Sequence, residues 1–264
     1  MLSEKRRPDG LREVILSAGR GNALRSGLLH EIEHAFDPGR SAPGPVVLSA
    51  RGGSFCTGLD LVASYELDRA GMRELMASFH RALRAVLLWP APVVAAIGGH
   101  ALAGGALLAL CADRRVMAHG PYRFGIHGVQ LGVVYPQVAI EVLRWRLRRP
   151  LVERILYGGR LRPGHEALDE GLIDRLVDPD VVLESASDLA LGLVAEMSAG
   201  KPTLLAPVAA RLAHVDPVGE ESWLDQWFEP DTRRRLEAAR ASLLERRGPR
   251  PGAVTDDERS GGSR

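Results

Sequence analysis

Lysine is almost missing from this chain: Lys5 and Lys201 are the two in 264 residues, and arginine carries nearly all the positive charge. That bias points to a GC-rich coding sequence and identifies no partner. Cysteine is equally scarce, with Cys56 and Cys111 alone. Neither has a second cysteine at metal-ligand spacing, so a disulfide framework is excluded and free thiols in a reducing cytoplasm are expected. Charge of one sign is lacking too. A net charge of +1 gives no bulk attraction to nucleic acid or anionic membrane, and neither is expected as a partner. The longest apolar stretches, such as Trp89 to Ile97, are too short to span a bilayer, and no apolar leader segment follows Met1. What remains is an ordinary globular composition, 45% hydrophobic and 25% charged.

Two glycine turns stand out. Ser54-Phe55-Cys56-Thr57-Gly58-Leu59-Asp60-Leu61 follows the apolar run Val46-Val47-Leu48. Gly99-His100-Ala101-Leu102-Ala103-Gly104-Gly105-Ala106 follows Pro92 to Ile97 and opens the apolar segment Leu107 to Cys111. Glycine between a strand and a helix lets backbone approach a ligand where a Cβ would collide. It also leaves free N–H groups where a helix begins, a place that favours negative charge, permanent or developing. Two such turns can each supply one N–H to a single oxygen.

Around them, strands are expected over Leu11–Ser17, Val46–Ser49, Val93–Ile97 and Arg114–Ala118. Helices are expected over Leu24–Phe36, Gly71–Leu88, Ala103–Cys111, Pro136–Arg148, Val152–Tyr157 and Gly164–Glu170. This alternation predicts an α/β core over residues 11–180. Residues 181–248 read as helical only (Val182–Met197, Lys201–Ala213, Asp231–Arg247). Met1–Gly10 is expected to fray, and 249–264 to be a disordered tail.

The two turns in this order, with Asn22-Ala23-Leu24 upstream and Gly171-Leu172-Ile173-Asp174-Arg175-Leu176-Val177 downstream, resemble the enoyl-CoA hydratase/isomerase (crotonase) superfamily from about Arg12 to Pro249. The resemblance implies a spiral of ββα turns with a C-terminal helical region used in trimerisation, hence a homotrimer or a dimer of trimers. It implies an acyl thioester substrate on coenzyme A or acyl-carrier protein, with no tightly bound cofactor and no metal. The N–H groups of Leu59 and Gly104 would form an oxyanion hole for a thioester enolate. Each such donor, when removed, costs on the order of 10²–10³ in rate. Ala23 and Cys56 would contact the adenine end through backbone. Gly58, Asp60, Gly105 and Gly128 complete the expected binding turns, with Asp60 and Asp113 as structural partners.

The departures from the family are as informative. Hydratases of the family carry one glutamate four residues into the helix after the second turn and another after the next strand. Leu107 and Gly128 occupy those places. Adding water to an enoyl double bond needs an acid and a base, so ordinary hydration is not expected, and simple isomerisation is weakened. The polar groups left nearby are His127, Gln130 and Tyr135. Leu131-Gly132-Val133-Val134-Tyr135 resembles the segment of methylmalonyl-CoA decarboxylases whose tyrosine faces the acyl group. Dihydroxynaphthoyl-CoA synthases also have glycine at the second position, where bicarbonate can serve as base. A decarboxylase-like reaction suits this set, with Tyr135 or His127 steering the proton. Isomerisation or another enolate reaction is the alternative within the class. A non-catalytic acyl-CoA-binding or assembly homologue is the alternative outside it.

Two further patterns remain. His30-Glu31-Ile32-Glu33-His34 satisfies a zinc-binding H-E-x-x-H pattern, but no third ligand follows in a convincing context, and it is read as the polar face of a helix whose core side is Leu28, Leu29, Ile32 and Phe36. Arg233-Arg234-Arg235 and Arg246-Arg247 either reach the phosphates of coenzyme A or form a solvated helix face.

Overall fold

Five consecutive buried residues, Val93–Ile97, form the centre of the sheet in a computed structural model of the chain, which describes residues 1–40, 42–197, 200–214 and 216–245. The expected tail 249–264, and Arg246 and Arg247, lie outside the described residues.

In chain order the strands are β1 (Leu2–Arg6), β2 (Arg12–Leu16), β3 (Val46–Ala50), β4 (Ser54–Cys56), β5 (Val93–Ile97), β6 (His100–Leu102), β7 (Arg114–Ala118), β8 (Arg123–Gly125), β9 (Arg162–Pro163) and β10 (Arg175–Val177). The helices are α1 (Ser26–Ala35), α2 (Leu61–Tyr65), α3 (Arg69–Leu87), α4 (Gly104–Cys111), α5 (Gln137–Arg146), α6 (Arg149–Gly158), α7 (Gly164–Asp169), α8 (Val182–Met197), α9 (Lys201–Leu212), α10 (Pro217–Phe228) and α11 (Pro230–Glu245).

A larger sheet runs β1-β2-β3-β5-β7-β10, and a smaller one β4-β6-β8-β9. β3, β5 and β7 are parallel neighbours in the first, while β4, β6 and β8 are parallel neighbours in the second. Each winding of the chain therefore lays one strand in each sheet before returning through helix, which is the expected ββα spiral. Strands buried on both faces read as continuous apolar runs, which is why β3 and β5 were visible in the sequence. One face of the larger sheet packs on α1, α3 and α4. The other, through Leu11, Val47, Val94 and Val116, packs on Val182, Ala186, Ala190 and Leu193 of α8. Those four residues recur at the three-to-four spacing of one helix face.

The expectation that Met1–Gly10 frays is corrected. Leu2–Arg6 forms β1, antiparallel to β2, with Leu2 opposite Leu16 and Arg6 opposite Arg12. As an edge strand it exposes Glu4, Lys5 and Arg6, and charged edges deter further pairing. No apolar alternation marks such a strand. The C-terminal helices return to the body of their own chain: α9 meets α5, α10 meets α3, and α11 meets α2. Lys201 anchors that return. Its ammonium donates to Asp113 Oδ2 (2.5 Å) and to the Ala91 carbonyl (2.8 Å), while the same carboxylate oxygen accepts the Val93 N–H (2.8 Å).

Candidate active site

The first glycine turn leaves β4 and pairs briefly with the segment before α1. Leu24 N–H donates to the Gly58 carbonyl (2.8 Å), and Asp60 N–H donates to the Leu24 carbonyl (3.0 Å). In this parallel bridge the residues flanking Leu59 are bonded, so the Leu59 N–H points the opposite way. Gly58 turns the chain at φ +89°, a left-handed conformation suited to glycine. Asp60 then caps α2, accepting the Ala63 N–H (3.1 Å), and accepts from Arg25 Nε (2.6 Å).

The second turn leaves β6. Ala103 sits at φ +49°, ψ −121° and donates to the Gly125 carbonyl (2.8 Å). A non-glycine residue in that region is strained, and such strain persists only where the surroundings enforce it. The result is that Gly104 opens α4 with its N–H outside the helical ladder. Neither Leu59 N–H nor Gly104 N–H donates to another group among the described residues. The turns are pressed together: a Cβ on Gly105 would meet the Cys56 carbonyl oxygen at 2.1 Å. Only glycine permits that approach.

Both turns border a cavity of about 590 Å³. Of the residues expected in the site, Leu59, Gly104, Ala23, Asp60, His127, Gly128 and Tyr135 line it. Cys56, Gly58 and Gly105 stand behind that lining and shape the turns. Cys56 is fully buried, and burial pushes its thiol up to about 12, so it is no nucleophile. Leu107 lines the cavity where a carboxylate was sought. Gly128 leaves open space, for its Cβ would find nothing nearer than the Val133 carbonyl oxygen at 3.6 Å.

His127 carries a buried Nδ1 with no hydrogen-bond partner among the described residues. Burial lowers its pKa, favouring the neutral imidazole. Tyr135 contributes to the wall, but its hydroxyl turns toward backbone, donating at long range to the carbonyls of Ile155 (3.4 Å) and Ile126 (3.5 Å). Burial raises its pKa, so it remains protonated. Gln130 Nε2 donates to the Gly159 carbonyl (3.0 Å), bracing the same loop.

Sequence reasoning missed the part of the wall supplied by α10 and α11. Trp223, Trp227, Leu236 and Leu243 line the cavity, and the two indoles stack at 5.5 Å between centroids. Trp223 Nε1 donates to the Val134 carbonyl (2.9 Å), tying α10 to the loop before α5. A signal existed in Asp216-Pro217, a capping residue followed by proline at the first helical position. Of the arginines in α11, Arg233 lies 3.6 Å over the Tyr65 ring and donates to the Tyr65 carbonyl (2.9 Å), so it is engaged within the protein. The His30–His34 pattern is likewise occupied: His30 bonds to Ser78, Glu33 to Arg81 and His34 to Arg40. Among the described residues no group of three metal-binding side chains is assembled.

Comparison with known proteins agrees with this architecture. The family model for enoyl-CoA hydratase/isomerase matches residues 7–225. A putative enoyl-CoA hydratase of Thermus thermophilus is 34% identical over 195 residues, covering 70% of this chain and 73% of that protein. The carnitinyl-CoA dehydratase of Proteus mirabilis is 32% identical over 181 residues, covering 67% and 69%. In fold, the chain is similar to human mitochondrial delta3-delta2-enoyl-CoA isomerase, with a TM-score of 0.87, 23% identity, and coverage of 94% of this chain and 99% of that one. This protein is therefore an enzyme of the enoyl-CoA hydratase/isomerase family, with the crotonase fold.

Proposed function

We propose that this enzyme takes an acyl-CoA thioester through an enolate held by the N–H groups of Leu59 and Gly104, and that the enolate arises by loss of CO2 from a malonyl-type acyl group. The observation that carries this reading is the pairing of two uncommitted N–H donors with a cavity whose only acidic lining residue, among those described, is Asp60. Asp60 is already engaged with α2 and Arg25. Abstracting a proton from the α-carbon needs a base. Breaking the bond to a carboxylate does not, because the departing CO2 leaves its electron pair on the α-carbon. The thioester oxygen then bears the charge, where preplaced donors act most strongly.

Apolar neighbours help the same step. A carboxylate held beside Leu107, Leu131 and Val133 loses hydration, whereas the delocalised enolate suffers less from that loss. Reprotonation then draws on water that the neutral His127 imidazole can hold in place, with Tyr135 bracing the loop. Bicarbonate would fit the open space at Gly128 only if the substrate lacked a carboxylate of its own. The isomerase reading would require such a borrowed base.

Mass spectrometry of malonyl-, methylmalonyl- and longer 2-alkylmalonyl-CoA incubated with the enzyme in D2O tests the proposal. The expected product is the decarboxylated acyl-CoA with one deuterium at the α-carbon. Intact substrates after prolonged incubation, alongside measurable binding, would favour a binding homologue instead.

A further inference from the structure

Arg25 stands where α1 begins, yet it offers that helix no cap. Its backbone is extended (φ −123°, ψ 165°), its side chain makes no capping bond, and no acidic residue follows in the first turn. Serine, threonine, asparagine or aspartate at this place would accept one of the free N–H groups of the helix. A guanidinium cannot accept, and its charge sits at the positive end of the helix dipole. Its partner lies elsewhere. Arg25 Nε donates to Asp60 Oδ2 at 2.6 Å, and Nη2 lies against the same oxygen.

That ion pair adjoins the contact that orients the first amide donor. Leu24 and Leu59 form the parallel bridge, and Arg25 and Asp60 are the next residues along the two segments. Asp60 N–H donates to the Leu24 carbonyl, and Leu24 N–H to the Gly58 carbonyl, so the Leu59 peptide turns with the register of this bridge. The Leu24 side chain reaches the second turn as well, for a Cβ on Gly104 would meet its Cδ1 at 3.3 Å. Hydrogen bonds to an ionised group are about twice as strong as neutral ones. The Asp60 carboxylate that receives them is buried, whereas Arg25 is largely exposed and is not among the residues lining the cavity. We infer that Arg25 is a positioning residue for the oxyanion hole: through Asp60 it fixes the register in which the Leu59 N–H meets the thioester oxygen. This inference rests on the acyl-CoA enolate reading above and adds a residue that touches neither substrate nor reacting atoms. A donor acts only where its hydrogen points at the oxygen, so a small rotation of the Leu59 peptide weakens it.

Acetyl-CoA labelled with carbon-13 at the thioester carbonyl reports the donors directly. Hydrogen bonds to that oxygen draw its infrared stretch to lower frequency, whatever reaction follows. Bound to the parent enzyme, the label should show this displacement relative to water. In Arg25→Asn, which gives α1 a capping side chain, the displacement should shrink by roughly half, because one donor of two is misdirected. Acetyl-CoA should stay bound, and the thermal melt should not fall. On whichever acyl-CoA the parent converts, kcat should drop on the order of tenfold, short of the effect of removing a donor outright. Arg25→Lys keeps the charge without the planar fork and should lie between the two. Asp60→Asn retains an oxygen to cap α2 and removes the other half of the pair. Combining it with Arg25→Asn should cost no more than the worse single substitution, since both break one link. An undiminished displacement in Arg25→Asn, additive effects in the double variant, loss of acetyl-CoA binding or loss of folding each overturns the positioning role and leaves the acyl-CoA reading standing. No displacement in the parent overturns the enolate reading itself.

Discussion

The Cβ that Gly58 lacks would stand 2.9 Å from the amide nitrogen of Gly104. One of the two glycine turns is thus fitted directly against the other, and the distance between the donors of the proposed oxyanion hole depends on a missing methyl group. Gly58→Ala would also force a side chain into a backbone conformation at φ +89°. The expected outcome is a folded protein whose turnover falls on the order of 10²–10³-fold, the usual effect of losing one donor. Steady-state rates measured with a circular-dichroism melt decide it. A normal melt with normal turnover would detach these amides from the chemistry.

Gly128→Glu should be accommodated, since its Cβ meets only ordinary contacts with Val133. It restores a carboxylate at one of the two places where hydratases of the family have one. Isomerisation of a 3-enoyl-CoA should rise on the order of 10²-fold over the parent, the low end of what a positioned acid–base group supplies. Ultraviolet monitoring of conjugated enoyl thioester gives the rate. Crotonyl-CoA hydration by the parent should remain at background, because Leu107 is unchanged.

Stability should depend on pH through His80 and His127. Burial lowers both pKa values from the ordinary 6.5. A lowered histidine pKa means the unfolded chain binds the proton more readily than the native one. The stabilisation is therefore complete above about pH 6.5 and is lost as pH falls through the lowered native values. Melting temperature should be level from about pH 7 to 8 and drop below about pH 6.5. Replacing His80, whose Nε2 meets the Leu212 carbonyl at 3.1 Å, with Gln should flatten the acid limb. An unchanged limb would assign it to other groups.

The sequence was legible where one physical cause acted alone. β5 matches its expected bounds because continuous burial leaves an unbroken apolar run, and α8 does so because one apolar face repeats along the helix; β7 also matches, although it opens on Arg114 and Arg115 and only Val116 to Ala118 are apolar. β4, β6 and β8 span three residues each, too few to show a period, and exist because the larger sheet positions them. The two glycine turns were visible in the sequence, and Leu59 and Gly104 were singled out within them by resemblance to the family. Trp223 and Trp227 could not be picked out, since a tryptophan pair on a charged helix looks the same whether it meets a core, a partner or a cavity. Tyr135 was placed at the cavity by resemblance. The direction of its hydroxyl depends on the carbonyls of Ile126 and Ile155, which only the folded chain brings together.

The apolar wall from α10 and α11 has a consequence for the order in which the site is made. Both turns bearing the amide donors are complete by Cys111, while Trp223 to Leu243 lie more than a hundred residues later. During synthesis the spiral emerges first and its cleft stands open to water until the final helices arrive. A ribosome stalled before Asp216 would carry both glycine turns without their roof. Nascent chains of that length should expose the apolar cleft, bind a hydrophobic dye and attract chaperones, and release them once α11 is made.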